Sequence, residues 1–176
     1  MHRNGVYRMP AEWETQKSTW IAWPHNKEDW PGKFNEIPRV FGKIISELSK
    51  AFNDNGKGLV IGFGSVSGLL GRKFNSHYAA SKRALESYFE SLAASQINDK
   101  IKIQFYILGY LETNLSFGKN LKLPKGSPKK LAELVYKKKN INFKKIYFPF
   151  WWGLIAFLLK IIPINFLIKL IKNSKS

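Results

Sequence analysis

The 176-residue chain has no cysteine, which excludes disulfides, thiolate metal sites and every thiol nucleophile. Its histidines, His2, His25 and His77, are scattered without helical or short-loop ligand spacing, so no metal centre is expected. Acidic residues almost vanish from the last third. Residues 119–176 hold 14 lysines and one acid, Glu133, which concentrates +13 of the net +17 there. Arginine is scarce, and none follows Arg83. The N-terminus lacks an apolar run, so no secretory signal is read and the cytoplasm is the expected compartment. What is present is ordinary for one domain: 44% hydrophobic and 23% charged residues exclude wholesale disorder.

Three zones follow one another. Residues 1–55 open with Trp13, Trp20, Trp23 and Trp30 among prolines and small polar residues, which reads as a packed irregular segment or a short strand over about 18–23. Pro38 then opens a helix in which Val40, Phe41, Ile44, Ile45, Leu48 and Phe52 recur at the helical period, and Asn53-Asp54-Asn55-Gly56 stops it. Residues 56–140 read as a buried strand from Gly58 to Phe63, a Gly/Ser loop, a helix from about Ser76 to Ser95 and a strand from Lys102 to Ile107. Two strands joined by a long helix form a right-handed βαβ unit of a parallel sheet. A lysine-rich connector and a helix over 128–139 close this zone.

Residues 141–176 form a basic, apolar tail. Ile146–Leu159 carries no charge, and as one helix it would span roughly 21 Å against a hydrocarbon core of about 30 Å. Lys160 and Pro163 separate it from a second apolar run, Ile164–Ile171. The shortness and the flanking lysines and tryptophans favour a monotopic hairpin or an interfacial helix pair on an anionic membrane surface, through residues 146–171. A crossing helix and a core-packed lid are the alternatives. Lys119–Lys145 holds ten lysines with Tyr136 and Phe143. That stripe suits phosphate, but no nucleic-acid reader motif accompanies it, so a solvated face or lipid contact is preferred to nucleic acid.

The middle zone carries the chemistry. Tyr78 and Lys82 stand four apart on one helix and share a face. An ammonium about 4 Å from a phenol, at an effective dielectric near 20, favours the phenolate by roughly 4 kcal/mol. A tyrosine so assisted exchanges protons near neutral pH, as carbonyl reduction or alcohol oxidation requires. Ser65 lies at the C-terminal end of a strand, where ligands bind in open α/β sheets. Alone, the pair reads rather as a half-buried tyrosine beside a solvated lysine, because the spacing recurs by chance. Gly62-x-Gly64-x-x-x-Gly68 also imitates a dinucleotide phosphate loop.

The run Gly64-Ser65-Val66-Ser67-Gly68-Leu69-Leu70-Gly71, continued by Asn75-Ser76-His77-Tyr78-Ala79-Ala80-Ser81-Lys82-Arg83-Ala84-Leu85-Glu86, resembles the active-site stretch of the short-chain dehydrogenase/reductase family. The resemblance covers about residues 57–160 and reaches Leu108-Gly109-Tyr110-Leu111-Glu112-Thr113-Asn114, where Leu108 replaces the family's usual proline. It implies an NAD- or NADP-dependent oxidoreductase. Tyr78 would be the general acid/base, and Lys82 would assist it and hold the nicotinamide ribose. Ser65 would orient the substrate carbonyl, with Ser67 fitting the spacing less well. Gly109 and Thr113 would lie at the nicotinamide. In this family the phosphate loop lies far upstream of the tyrosine, which speaks against that role for Gly62 and Gly64. The Tyr147-Phe148-Pro149-Phe150-Trp151-Trp152-Gly153 run is similar to the tails of membrane-associated members, which hints at a lipophilic substrate.

The family's glycine-rich cofactor half is not found upstream. Instead Arg8-Met9-Pro10-Ala11-Glu12-Trp13-Glu14, Ser18-Thr19-Trp20-Ile21-Ala22-Trp23-Pro24-His25 and Asp29-Trp30-Pro31-Gly32-Lys33-Phe34 resemble the N-terminus of the agmatine deiminase family, over about residues 6–52. Those enzymes attack a guanidinium carbon with a cysteine thiolate, so the missing cysteine excludes their chemistry here. The sequence thus reads as the head of one enzyme joined near residue 55 to the tail half of another. The fold expected is α/β: a partial Rossmann-like, doubly wound parallel sheet without its cofactor-binding half, plus an apolar helical tail. The expected consequences are impaired turnover, since the hydride belongs to the cofactor, and an open sheet edge that invites a homo-oligomer or another completing chain. A non-catalytic membrane-associated remnant is the alternative.

Overall fold

The computed structural model describes residues 31–71, 75–95, 101–113 and 123–173, with side chains except those of Phe34, Pro38 and 170–173. The strand expected near 18–23 and all four N-terminal tryptophans lie outside the described residues. The chain divides into two compact units, Met1–Phe41 and Gly42–Ser176. In the first, a turn with Gly32 at φ +71° leads into a 3-10 turn over Phe34–Glu36 and the start of helix α1 (Ile37–Asp54). There the exposed Arg39 guanidinium lies 3.8 Å from Glu36, a surface pair of little energetic weight.

Helix α1 stops where its polar Asn-Asp-Asn-Gly run falls. Gly56 adopts φ +66°, its N–H donates to the Asn53 carbonyl at 3.0 Å, and the Lys57 N–H donates to the Phe52 carbonyl at 3.1 Å. This is a Schellman cap, in which glycine tolerates the left-handed backbone that a side chain resists.

The second unit is built on a parallel sheet of β1 (Gly58–Ser65), β2 (Ile101–Leu108) and β3 (Lys145–Phe148), in the order β1-β2-β3. Helix α2 (Ser76–Ala94) joins β1 to β2 as the expected βαβ unit. Gly58 pairs with Ile101 and Ser65 with Leu108, so both strands run their full lengths side by side. Helix α3 (Pro128–Lys138) has proline in its first turn and lysines in its last, each where backbone and dipole favour it.

The third strand corrects the sequence reading. Lys145–Phe148 is not the start of an apolar helix; it pairs in parallel with Phe105–Leu108. The tail then forms two short helices, α4 (Trp151–Ile161) and α5 (Ile164–Asn173), separated at Pro163. Among the described residues no helix is long and apolar enough to cross a membrane, which removes the crossing-helix alternative for them.

Strand β2 is the centre of the core. Ile101, Ile103, Phe105, Tyr106 and Ile107 are all buried, as expected of a parallel strand covered on both faces. On one face the Phe105 ring meets Phe89 of α2 with centroids 5.2 Å apart. The same ring lies over Gly62 and Gly64 of β1, where an added Cβ would come within 2.6 Å of it. These glycines are therefore strand residues that make room for an aromatic ring, which gives a positive packing reason for a pattern resembling a phosphate loop. On the other face Tyr106 packs on Phe63 with centroids 5.9 Å apart. Its hydroxyl donates to Gln104 Oε1 at 2.9 Å. Gln104 is wholly buried, and its Nε2 donates to the Lys138 carbonyl and, at 3.1 Å, to that of Ile141, tying off the end of α3.

Candidate active site

Ser65 is the last residue of β1. Its hydroxyl accepts a hydrogen bond from the Ser67 N–H at 3.2 Å and so caps a 3-10 turn over Val66–Gly68. Helix α2 is fastened once to β1 and once to this turn. Lys82 Nζ donates to the Phe63 carbonyl at 3.4 Å, and Arg83 Nη1 donates to the Gly68 carbonyl at 3.0 Å. Gly68 is buried, and a Cβ there would stand 3.4 Å from the Arg83 backbone nitrogen. Arg83 is thus a positioning residue for the serine turn, and sequence reasoning passed it over. Its only signal was its place beside Lys82 in the motif.

Tyr78 lies in the first turn of α2, with its carbonyl accepting from Ser81 Oγ at 2.8 Å. The Lys82 ammonium sits 5.7 Å from the Tyr78 ring centroid, as the four-residue spacing demands. Both side chains are half-buried. Burial pulls the Lys82 pKa below the usual lysine value, because a desolvated ammonium is disfavoured. Lys82 therefore links the two parts of the site: it bonds β1 two residues before Ser65 and overlies the tyrosine.

Gly109 follows β2 immediately, beside Ser65 because Ser65 and Leu108 are register partners. Its N–H donates to the Phe148 carbonyl at 2.8 Å. The Trp152 indole lies against its Cα so closely that a Cβ would stand 1.9 Å from Nε1. Gly109 is thus required by packing. Trp152 also meets the Tyr110 ring edge-on, centroids 5.9 Å apart. Past a bridge between Leu111 and Gly126, Thr113 stands on an exposed bend. Lys82 thus joins Tyr78 to the C-terminal part of β1 that ends at Ser65, and Gly109 stands at the neighbouring strand end, with Thr113 past the Leu111–Gly126 bridge.

The sequence reading expects a nicotinamide cofactor at Tyr78, Lys82, Gly109 and Thr113. Its pyrophosphate is not matched among the described residues. Gly62 and Gly64 lie inside β1 under Phe105, not in a strand-to-helix cradle, and Gly68 is pressed against α2.

Comparison with known proteins finds likeness to two families. The short chain dehydrogenase family model matches residues 41–123, and that of the Porphyromonas-type peptidyl-arginine deiminases matches residues 8–55. The two overlap within α1. The hydroxysteroid 11-beta-dehydrogenase 1-like protein B of Xenopus laevis is 30% identical over 114 residues, covering 62% of this chain and 39% of that protein. The dehydrogenase/reductase SDR family member 7B of Rattus norvegicus is 35% identical over 73 residues, 42% of this chain and 22% of the relative. An agmatine deiminase sequence of Yersinia pestis is 35% identical over 49 residues, 28% of this chain and 13% of the relative. The chain thus spans well under half of each. Among solved structures, a 7beta-hydroxysteroid dehydrogenase superposes with a TM-score of 0.55 at 19% identity, over 72% of this chain and 55% of that one. A 4-hydroxyisoleucine dehydrogenase complexed with NADH gives 0.51 at 22% identity, over 68% and 59%. These likenesses establish a Rossmann-type α/β fold. Both resemblances read from the sequence hold: a segment similar to the short-chain dehydrogenases follows one similar to the deiminase N-terminus.

Proposed function

We propose that this chain carries the proton-transfer half of a short-chain oxidoreductase site, acting on a carbonyl or its alcohol. One observation supports the reading above the others. Lys82 is held by the Phe63 carbonyl of β1 while its ammonium overlies the Tyr78 ring, two residues from a serine that ends the same strand. In this reading Tyr78 gives a proton to the carbonyl oxygen on reduction and takes it back on oxidation. Lys82 sets its charge beside the tyrosine ring, and Ser65 turns its hydroxyl toward the same oxygen. The hydride would belong to NAD or NADP, as it does in the family. With no pyrophosphate cradle among the described residues, the isolated chain is expected to bind that cofactor weakly and turn over little. The hydroxysteroid names of its relatives and the apolar tail support a lipophilic substrate.

One further observation supports a second chain completing the sheet. Among the described residues β1 pairs only with β2, so its outer edge is open to another strand.

The test is NADH and NADPH binding by the purified chain, read as nucleotide fluorescence, beside turnover of a hydrophobic alcohol. Tyr78→Phe should leave binding unchanged and remove any turnover, by at least about a hundredfold. Turnover that survives in Tyr78→Phe would refute the assignment.

A further inference from the structure

The tail carries an apolar surface that the site does not use. Phe150 is 82% exposed, Leu154 64%, Phe157 59% and Ile161 63%, all on or just before α4, and Ile164 and Phe166 continue this exposure on α5. Among the described side chains of the pair, Trp152, Ala156 and Leu167 are the buried ones, so each helix is anchored by one face and leaves the other bare. Exposure on this scale marks an interaction surface.

Beside it lies a cleft of about 460 Å³ between α3 and the start of α4. Phe148, Pro149, Phe150 and Trp151 line its apolar side, and Lys130 and Lys137 of α3 line the other, with Glu133 the one acid among its lining residues. Phe150 belongs both to the cleft and to the bare surface, so the two are continuous.

We infer that α4, α5 and this cleft together dock on an anionic phospholipid leaflet, the apolar side chains entering the interface and a headgroup phosphate meeting Lys130 and Lys137. Charge complementarity selects this occupant. A second copy of the chain would bring the same +13 carried by residues 119–176 against itself. A nucleic acid would answer the lysines and leave the phenylalanines, leucines and isoleucines in water. An anionic leaflet answers both, because the lysines meet its phosphates while the apolar side chains leave water. The helices are each too short to cross, so the pair lies in the interface. This inference is independent of the oxidoreductase reading and stands or falls without it.

The full chain is tested by co-sedimentation with vesicles of phosphatidylcholine alone and with one-third phosphatidylglycerol. Wild type should bind the anionic vesicles at least tenfold more tightly, with affinity falling as salt rises. Lys130→Glu/Lys137→Glu should lose about tenfold on anionic vesicles and nothing on neutral ones. Leu154→Asp/Phe157→Asp should lose binding to both. Circular dichroism should confirm that both variants keep the wild-type helix content. Quenching of wild-type tryptophan fluorescence by brominated lipid supplies a reading that needs no variant, and quenching is the expected result. Absence of binding and quenching on anionic vesicles would overturn the inference. So would equal affinity for both vesicle types, or a wild-type dimer that Leu154→Asp/Phe157→Asp dissociates and that ignores vesicles.

Discussion

Strand β2 and helix α4 are built from the same kinds of side chain and have opposite fates. In β2 Phe105, Tyr106, Ile103 and Ile107 are almost wholly removed from solvent, whereas α4 leaves Leu154, Phe157, Leu158 and Ile161 substantially exposed. The difference lies in what covers them. Strand β2 lies between two strands, with Phe89 of α2 packed on one face and the end of α3 tied to the other. Helix α4 has cover on the side of Trp152 and Ala156 alone. Hydrophobicity of a segment therefore specifies a demand for cover, and only the neighbouring elements decide whether the protein meets it itself.

The largest effect should come from the covered region. Phe105→Ala removes a ring packed between Phe89 and two glycines, and should cost about 3–5 kcal/mol in urea unfolding. Gly64 sharpens the test, because the nearby atoms its added Cβ would meet all belong to the Phe105 ring, the closest at 2.6 Å. Gly64→Ala alone should cost about 1–3 kcal/mol. In the Phe105→Ala background it should cost clearly less, since the obstructing ring is gone. Additive losses would show that β2 is not packed as described.

Legibility in the sequence follows the same divide between local and distant causes. The βαβ unit, the glycine stop of α1 and the Tyr78–Lys82 pairing depend on neighbours along the chain, and periodicity with i, i+4 spacing exposes them. Strand β3 did not show, because Ile146–Phe148 runs into Phe150-Trp151-Trp152 as one apolar stretch and only pairing with β2 separates the strand from the helix. The burial of Gln104 was equally hidden, since its partners are carbonyls at the end of a helix that follows it in sequence. At the candidate site Ser65, Tyr78 and Lys82 were readable through local spacing and family resemblance. Arg83 and the packing of Gly109 against Trp152 were not, because each depends on a contact between separate elements.

A smaller effect should appear where β3 is tied to α2. Lys145 Nζ lies 2.9 Å from Glu86 Oε1 and also contacts Glu90. Partial burial draws the ammonium pKa down, but hydrogen bonds to Glu86 and Glu90 and their charges outweigh it, so the pKa stands above its ordinary 10.5. The folded state therefore holds this proton more tightly than the unfolded chain. The stabilisation is fully present below pH 10.5 and is lost as pH rises through the raised folded value. Glu86→Gln/Glu90→Gln should cost on the order of 1 kcal/mol at neutral pH, since all three charged side chains are only partly buried and solvent screens part of their attraction. The gap from wild type should narrow in alkaline melts. A gap that widens with pH would reverse the assigned sign.

The smallest effect on stability should come from the uncovered region, and its smallness is informative. Leu154 is 64% exposed in the folded chain, so replacing it by serine removes little buried area. Leu154→Ser should change urea stability by no more than about 0.5 kcal/mol, the range of ordinary surface substitutions. A leucine retained at no cost to folding either does nothing or serves something outside the fold. If Leu154→Ser costs as much as a core truncation, α4 is covered by its own chain and the contrast with β2 disappears. If stability holds while affinity for anionic vesicles falls, the cover that α4 lacks in the monomer is supplied by the membrane surface.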